Sequence, residues 1–390
     1  MSDSGSQTLL PAGVADGLPP HAAFEAAMIE RMLGYFARFG YERVKPPLIE
    51  FEDSLLAGSG AALVTHTFRL MDPVSQRMLA LRPDMTMQIA RIATERLARQ
   101  PRPLRLGYAG QVLRIKGSQL RPARQFGQVG AEIIGAATPA ADAEVMLMAV
   151  EGLSHLGVGP LTIDLGIPTL VAAILAERNV DPRHRARVRA ALDRKDARAL
   201  TDLAPVLADD TARLLARLVT IAGPGEEVLT ALAKLKLPAA PDAERSRVAD
   251  VFKRVRAAAP DLSIGIDPVE SRGFEYHRGV TFSLFAAGVA GELGRGGRYI
   301  AGFGGSAEPA TGVTLYMDSV LRSLTPAGSD HRVFVPCAAP RAAAAALRDA
   351  GWITVCGLDV GADERLEARR LGCTHILVGA EAEALASLES

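Results

Sequence analysis

Strand-like sequence stops near residue 168 of this chain and resumes near residue 262. The stretch between is dominated by Ala, Leu and Arg at helical spacing, with Pro and Gly between the segments. On either side, short runs rich in β-branched and aromatic residues predict strands. One sheet domain must therefore be assembled from two separate parts of the chain, with a helical insertion at about 168–260.

The first part of the chain predicts a sheet flanked by helices. Phe24, Met28, Met32 and Phe36 recur at helical spacing, and Gly40 follows where a left-handed residue ends a helix. Strands are predicted at 67–71, 77–81, 104–115, 124–134, 161–165, 262–267 and 274–285. Further helices are predicted at 85–99, 140–156 and 314–324. We place this domain at 1–325.

The last part of the chain predicts a separate, smaller module. Residues 326–330 have the composition of a linker, and 331–390 alternate as β-α-β-α-β, which is typical of a small α/β unit. The three cysteines, Cys337, Cys356 and Cys373, are not at metal-binding spacing and are expected to be core thiols.

Composition and charge exclude several classes of protein. The chain has 390 residues, and its 44 Lys and Arg balance 44 Asp and Glu, so general binding to polyanions is not indicated. No stretch approaches the roughly 20 apolar residues of a membrane span. The N-terminus lacks the order of a signal peptide. We expect a cytoplasmic protein without a membrane segment, and no motif indicates a metal or cofactor.

One predicted strand carries polar groups on a single face. Alternation places together Arg124, Phe126, Gln128, Gly130 and Glu132, whereas the opposite face is apolar. A base, an amide and an acid beside a residue without a side chain suggest the floor of a polar pocket. A solvated sheet face fits the same pattern, so both interpretations stay open.

Four other segments carry candidate groups, each with a structural alternative. Asp84 and Thr86 lie at a strand-to-helix junction, where Asp84 could simply cap the helix. The glycine-rich run 294–299 could cradle phosphate, or could only let strands approach closely. Residues 271–277 cluster charged and aromatic groups around a rare histidine, although a lone histidine is more often structural than functional. The basic run 183–198 suggests a solvated helix face, with tRNA contact as the alternative.

Taken in order, several of these segments resemble the catalytic domain of histidyl-tRNA synthetase. They are Leu10–Asp16, similar to its opening motif; Leu81–Thr86, similar to L-R-P-E-x-T; Tyr108–Glu132, similar to class II motif 2; Ser271–Tyr276, similar to R-G-L-D-Y-Y; and Gly296–Tyr299, similar to G-G-R-Y. The resemblance implies an α+β fold, a class II aminoacyl-tRNA synthetase-like antiparallel sheet domain with a helical insertion. The module at 331–390 resembles a truncated anticodon-binding domain.

Two positions depart from the family's nucleotide-binding pattern. Motif 2 reads Arg-x-Glu in the family, with the Glu accepting from adenine, but here Arg114 is followed by Ile115 and Lys116. Motif 3 ends in Glu-Arg, with that Arg clamping adenine and the γ-phosphate, but here Asp318 and Ser319 occupy these positions. The resemblance therefore implies that adenylation is lost, since charge stabilisation is its main catalytic requirement.

The positions that match the family's histidine pocket largely remain. They are Asp84, Thr86, Arg114, Gln128, Glu132, Arg272, Tyr276, His277 and Tyr299. A carboxylate at Glu132 can accept from the imidazole N–H and Asp84 from the α-ammonium group, while Arg114 or Arg272 can pair with the α-carboxylate. His277 replaces a family Tyr that contacts the imidazole.

A histidine pocket without adenylation resembles the regulatory subunits of ATP phosphoribosyltransferase. This resemblance implies a non-catalytic chain that pairs with a short-form ATP phosphoribosyltransferase catalytic subunit, with free L-histidine as effector. It also implies a homodimer, packed through about 38–48, within a hetero-oligomer, without a cofactor and without tRNA binding. The alternatives are an active histidyl-tRNA synthetase and a paralogue that performs amidation or tRNA modification.

Overall fold

The chain divides into two compact units, Met1–Thr325 and Pro326–Ser390, each described by itself. The computed structural model describes residues 10–56, 64–118, 121–270, 277–302, 304–325, 331–359 and 363–385. Among the described residues, no helix combines the length and apolar character needed to cross a membrane.

The first unit contains twelve strands and twelve α-helices among its described residues. The strands are β1 (Glu42–Arg43), β2 (Ile49–Phe51), β3 (Arg69–Met71), β4 (Met78–Leu81), β5 (Leu104–Leu113), β6 (Gln125–Ile134), β7 (Leu161–Gly166), β8 (Gly223–Pro224), β9 (Ser263–Asp267), β10 (Thr281–Ala286), β11 (Gly294–Ala301) and β12 (Glu308–Tyr316). The helices are α1 (His21–Ala37), α2 (Glu52–Leu55), α3 (Thr86–Arg91), α4 (Pro139–Leu156), α5 (Pro168–Glu177), α6 (Pro182–Asp193), α7 (Ala197–Asp202), α8 (Ala204–Leu207), α9 (Asp209–Val219), α10 (Gly225–Ala233), α11 (Ala239–Ala258) and α12 (Met317–Arg322).

A nine-stranded sheet in the order β1-β5-β6-β12-β11-β10-β7-β9-β8 forms the centre of this unit. Along the part β5-β6-β12-β11-β10-β7 of this order, every pair of adjacent strands is antiparallel, as expected. Two pairs are parallel, β1 with β5 and β7 with β9, which makes the sheet mixed. Alternation of side chains indicates a strand but not its direction, so the parallel pairs could not be predicted.

Helices α1 and α4 cover one face of the sheet. Their apolar side chains form one core with Val129, Ala131 and Ile133 of β6, so the predicted apolar face of that strand is confirmed. Helix α1 ends as predicted, with Gly40 at φ 81°. The opposite face of the sheet carries a second, smaller apolar cluster, which includes Phe126 and Ile134 of β6, together with polar side chains.

The helices of the insertion, α5 to α11, lie between β7 and β9. Their buried residues include Val188 and Leu192 of α6, whereas most arginines of the basic run 183–198 face solvent, as a solvated helix face requires. Strand β8 pairs with β9, so the expectation that strands are absent from this region is wrong for these two residues. A Gly-Pro pair normally indicates a turn, which hides such a short strand.

Three further expectations meet a different local structure. Strand β12 continues to Tyr316, so the helix predicted from residue 314 begins only at Met317. The predicted helix at 85–99 is α3 followed by a π-helical turn at Ile92–Arg96. The glycine-rich run forms most of β11, a central strand, which favours close approach of strands over a phosphate loop.

The second unit contains a four-stranded sheet in the order β14-β13-β15-β16. Its elements are β13 (Arg332–Val335), α13 (Arg341–Asp349), β14 (Ile353–Cys356), α14 (Glu364–Arg370), β15 (His375–Val378) and β16 (Glu381–Ala384). The antiparallel strand β16 was not predicted. Cys373 is buried, but Cys337 and Cys356 are exposed, so the expectation of core thiols is wrong for two of the three.

Candidate functional site

The polar face of β6 is buried, not solvated. Gln128 and Glu132 are 0% and 1% exposed. Burying a carboxyl and an amide is unfavourable unless each finds partners, so this strand face must belong to a polar network. The interpretation of the face as a solvated sheet face is therefore wrong.

Two facing glycines make room for the side chains of Glu132 and His277. Gly312 of β12 pairs with Glu132 of β6 on one side of its strand. On the other side it pairs with Gly297 of β11. A Cβ atom on Gly312 would lie 1.6 Å from Oε2 of Glu132, so the carboxyl rests directly on this glycine. A Cβ on Gly297, whose φ is 151°, would lie 3.0 Å from the His277 ring. Glu132 and His277 therefore share one face of the sheet over neighbouring glycines.

Tyrosine hydroxyls hold both oxygens of the Glu132 carboxyl. Tyr108 Oη donates to Oε1 at 3.0 Å, and Tyr299 Oη donates to Oε2 at 3.1 Å. Burial raises the pKa of Glu132 to about 8, although the two tyrosine hydrogen bonds act in the opposite direction. Burial also raises the pKa of Tyr108 well above its usual value, so this hydroxyl stays protonated.

Tyr108 also joins the carboxyl to two threonines. Its hydroxyl lies 3.0 Å from Oγ1 of Thr314 and 3.2 Å from Oγ1 of Thr86. Thr86 was predicted as a site residue, whereas Tyr108 and Thr314 were not. Thr314 lies two residues from Gly312 on the same strand face, and Tyr108 opposes Gly130, but only the register of the strands shows that these hydroxyls meet Glu132.

Asp84 and Gln128 form a second polar pair beside this cluster. Asp84 Oδ1 accepts from the Thr86 backbone N–H at 2.9 Å, but the N-cap residue of α3 is Met85, so the alternative that Asp84 simply caps the helix is wrong. Its Oδ2 accepts from Gln128 Nε2 at 2.9 Å, and Gln128 Oε1 accepts from the Met85 N–H. Arg114 lies 3.9 Å from Asp84 and donates through Nε to the Pro83 carbonyl. The start of α3 is thus tied to the pocket floor.

A cavity of about 170 Å³ opens on the same polar face, over β7, β9, β10 and β11. Its polar lining consists of Asp164, Asp267, Glu270, His277, Thr281, Ser283, Glu292 and Arg295. Of the seven predicted site residues that the structure describes, only His277 is in this lining. His277 lies 3.3 Å from the Arg298 carbonyl oxygen through Nδ1, and burial lowers its pKa to about 4.

Rows of opposed residues connect the cavity to the Glu132 cluster. One row across β7, β10, β11, β12 and β6 consists of Gly166, Thr281, Gly297, Gly312 and Glu132. The next consists of Asp164, Ser283, Arg295, Thr314 and Gly130. Opposed residues of neighbouring strands point to the same face, so cavity and cluster form one continuous polar surface.

Two of the predicted site residues, Arg272 and Tyr276, lie outside the described residues. The other seven are described, and six of them lie in the network around Glu132 and Asp84. They are Asp84, Thr86, Arg114, Gln128, Glu132 and Tyr299. Among the described parts of the chain, no group of three His, Cys, Asp or Glu residues is arranged to hold a metal ion.

An arginine fills the space beside Asp318. The Arg121 guanidinium stacks on the Tyr316 ring, 3.6 Å from its centroid, and is 3.6 Å from Asp318 and 3.7 Å from Glu292. Arg121 is 8% exposed, whereas Lys116 on the preceding turn is exposed. A planar cation therefore already covers the aromatic surface at this end of β12.

Comparison with known proteins agrees with this architecture. The family model described as histidyl-tRNA synthetase matches residues 13–320. A solved structure from Bacillus halodurans, an ATP phosphoribosyltransferase regulatory subunit/histidyl-tRNA synthetase, superposes with a TM-score of 0.82 at 22% identity, covering 97% of this chain and 100% of that one. Histidyl-tRNA synthetase from Nostoc sp. gives 0.77 at 18% identity, over 95% and 91%. The predicted class II synthetase-like fold is confirmed.

Sequence relatives extend over nearly the whole chain. A Paramagnetospirillum magneticum protein named ATP phosphoribosyltransferase regulatory subunit is 52% identical over 377 residues, 97% of this chain and 98% of the relative. A protein of the same name from Rhodospirillum centenum is 51% identical, over 96% of each. By its domain and by these full-length relatives, the chain belongs to the histidyl-tRNA synthetase-like family of ATP phosphoribosyltransferase regulatory subunits.

Proposed function

We propose that this chain is a non-catalytic regulatory subunit that binds free L-histidine and assembles with a short-form ATP phosphoribosyltransferase catalytic subunit. In this role it serves the first step of L-histidine biosynthesis, in the cytoplasm, and transmits feedback by histidine. The name shared by its full-length relatives supports the partner. The observation that most supports binding of L-histidine is the buried Glu132 carboxyl beneath a polar surface.

The groups on that surface match those of an amino acid with an imidazole side chain. Glu132 can accept from a ring N–H, and Asp84 can accept from the α-ammonium group. Arg114, beside Asp84, can pair with the α-carboxylate, as can Arg272 by the family resemblance. The ligand's two backbone charges would thus meet opposite charges at the start of α3, and its ring would lie over the glycines.

The lack of catalysis is supported by the charges at the nucleotide positions of the related synthetases. Lys116 and Ser319 stand where that family has a Glu and an Arg. The acids Asp318 and Glu292 and the stacked Arg121 occupy the surface around Tyr316. Both carboxylates are paired with arginines, so the obstacle to nucleotide binding is Arg121, which would have to leave before a base could stack on Tyr316.

A homodimer is supported by an apolar sheet face in the first unit. Strands β2, β4 and β3 form a three-stranded sheet, and its register aligns five apolar side chains on one face. They are Ile49, Phe51, Leu70, Leu79 and Leu81, none of which is fully buried. An apolar surface of this kind is typical of a protein contact, and it adjoins the region through which the resemblance implies dimerisation.

The proposal is tested first by histidine binding. Calorimetry on the full chain should detect L-histidine, and Glu132→Ala or Asp84→Ala should weaken binding by roughly five- to a hundredfold, because each leaves a charged ligand group unpaired. Glu151→Ala is a matched control, since Glu151 is exposed on α4 and bonds only to Tyr35 among the described residues. Equal binding by all four proteins would contradict the assigned pocket.

Feedback is tested in the complex. The chain should co-purify with a short-form catalytic subunit, and Glu132→Ala should relieve inhibition by histidine without preventing assembly, because a ligand regulates only through its differential affinity for two states. If Glu132→Ala leaves the inhibition curve unmoved, the histidine sensor is not this pocket. The alternative of an active synthetase is tested by histidine-dependent pyrophosphate exchange, which this chain should not show.

A further inference from the structure

The Glu132 carboxyl has no positively charged partner among the described residues. Its two oxygens accept from Tyr108 and Tyr299, both neutral donors, and its side chain is buried on Gly312. An ionised carboxylate in such a place has a large desolvation penalty, which neutral hydrogen bonds from the two tyrosines and Thr86 only partly offset. The free protein therefore favours the protonated carboxyl.

The charged and titratable groups around Glu132 come from several elements. Tyr108 on β5 and Tyr299 on β11 donate to it, Asp84 before α3 adds negative charge, and Tyr41 after α1 feels its field. His277 lies over the neighbouring glycine. Burial holds the pKa of His277 at about 4 and raises those of Tyr41 and Tyr108, so none of these three changes charge near neutral pH.

We propose that Glu132 carries a proton in the ligand-free protein at neutral pH and passes it to the imidazole ring of bound histidine, so that binding is strongest near neutrality and weakens on both sides. In this step the carboxyl O–H bond breaks and an imidazole N–H bond forms. The products are a carboxylate and an imidazolium, and no proton is exchanged with solvent. The inference rests on the proposed function, whose ligand it uses.

The expected pH profile follows from two groups that share one proton. The pKa of Glu132 is raised to about 8, and free imidazole side chains titrate at about 6.5. Below about pH 6.5 the imidazole of free histidine is protonated, so one proton must be released on binding. Above about pH 8 the Glu132 carboxyl of the free protein has already lost the proton that the complex needs. Binding should be strongest at about pH 7.2 and about threefold weaker at about pH 6 and pH 8.5.

Proton counting by calorimetry tests whether Glu132 and the bound ligand share a single proton. L-histidine is titrated into the full chain at pH 6, 7.2 and 8.5, each in two buffers with different heats of ionisation. About 0.7 proton should be released at about pH 6, almost none exchanged at pH 7.2, and about 0.7 taken up at pH 8.5. In Glu132→Gln the alkaline loss of affinity should disappear. The ligand's own α-ammonium group titrates equally in both proteins and cancels in their ratio.

A second variant keeps the test decisive if Glu132→Gln binds too weakly. Tyr299→Phe removes a donor that favours the carboxylate, so the pKa of Glu132 rises and the pH of strongest binding should move upward. Histidine binding whose proton exchange keeps one sign from pH 6 to 8.5 would overturn this inference and leave the proposed function standing. No histidine binding at any pH would instead overturn the proposed function.

Discussion

Replacing Gly312 by alanine should disturb the pocket without removing any polar group. The added Cβ would lie 1.6 Å from Glu132 Oε2 and 2.3 Å from its Cδ, and also 2.8 Å from the Ala131 carbonyl oxygen. Both strands are central in the sheet, so their backbones have little room to separate. The Glu132 carboxyl is therefore the group that must move.

The size of the effect follows from the hydrogen bonds that this movement breaks. An ordinary contact at about 3.5 Å requires a shift of nearly 2 Å. The bonds from Tyr108 and Tyr299, at 3.0 and 3.1 Å, cannot both survive such a shift, because hydrogen bonds fail beyond about 3.5 Å. The displaced carboxyl can no longer accept from the ring N–H of the ligand, and a buried donor left without its partner costs about 1–3 kcal/mol, which predicts histidine binding weaker by roughly five- to 150-fold.

Calorimetry with L-histidine measures this loss, and denaturant unfolding measures the accompanying overpacking, expected at about 1–3 kcal/mol. Gly34→Ala is the matched control. Gly34 lies in α1 and a Cβ there meets nothing within 4 Å, so alanine should leave binding unchanged and stabilise the helix by about 0.5–1 kcal/mol. If Gly312→Ala binds histidine as tightly as the unaltered chain, the carboxyl on Gly312 is not part of the binding site.

Three other outcomes are expected. Arg298→Ala should lower the free energy of unfolding by about 3–5 kcal/mol in denaturant titration. The buried Asp142 carboxylate, which lies 2.9 Å from the Arg298 guanidinium, would lose its charged partner. Hydrogen bonding from Arg102 lowers the pKa of Glu308 in the folded chain. The pair therefore stabilises the fold above the unfolded-state pKa of about 4.3, and this stabilisation is lost as pH falls through the lowered folded-state pKa. Unfolding curves of Glu308→Gln and the unaltered chain should converge in acid. Light scattering should show a dimer, and Ile49→Asp on the apolar sheet face should shift it toward monomer.

The polar face of β6 could be predicted because its information is local. Strand alternation with a period of two places Gln128 and Glu132 together whatever the rest of the fold does. The partners of these residues could not be derived in the same way. Gln128 meets Asp84, 44 residues away, and Glu132 meets Tyr299, 167 residues away. Only the resemblance to a known family brought such distant segments into one site.

Each prediction that failed has a physical reason. Tyr and Thr favour strands for reasons of packing, so Tyr108 and Thr314 look like ordinary strand residues until the register shows their hydroxyls beside a carboxyl. Helix α12 was predicted too early because the apolar run before Met317 fits either a strand end or a helix start. The exposed Cys337 and Cys356 lie in a small unit that has too little core to bury them.

The parallel pairing of β7 with β9 has a consequence for the order in which the chain folds. Thr162 pairs with Ser263, so about 100 residues must be closed into a loop before these strands meet, at an entropic cost of about 4 kcal/mol. The insertion can reduce this cost if its helices pack first, because α5 and α11 contact each other and stand directly after β7 and directly before β9. A substitution that loosens the packing of α11, such as one at its buried Val248, should therefore slow the completion of the central sheet, even though the insertion contributes only β8 to it.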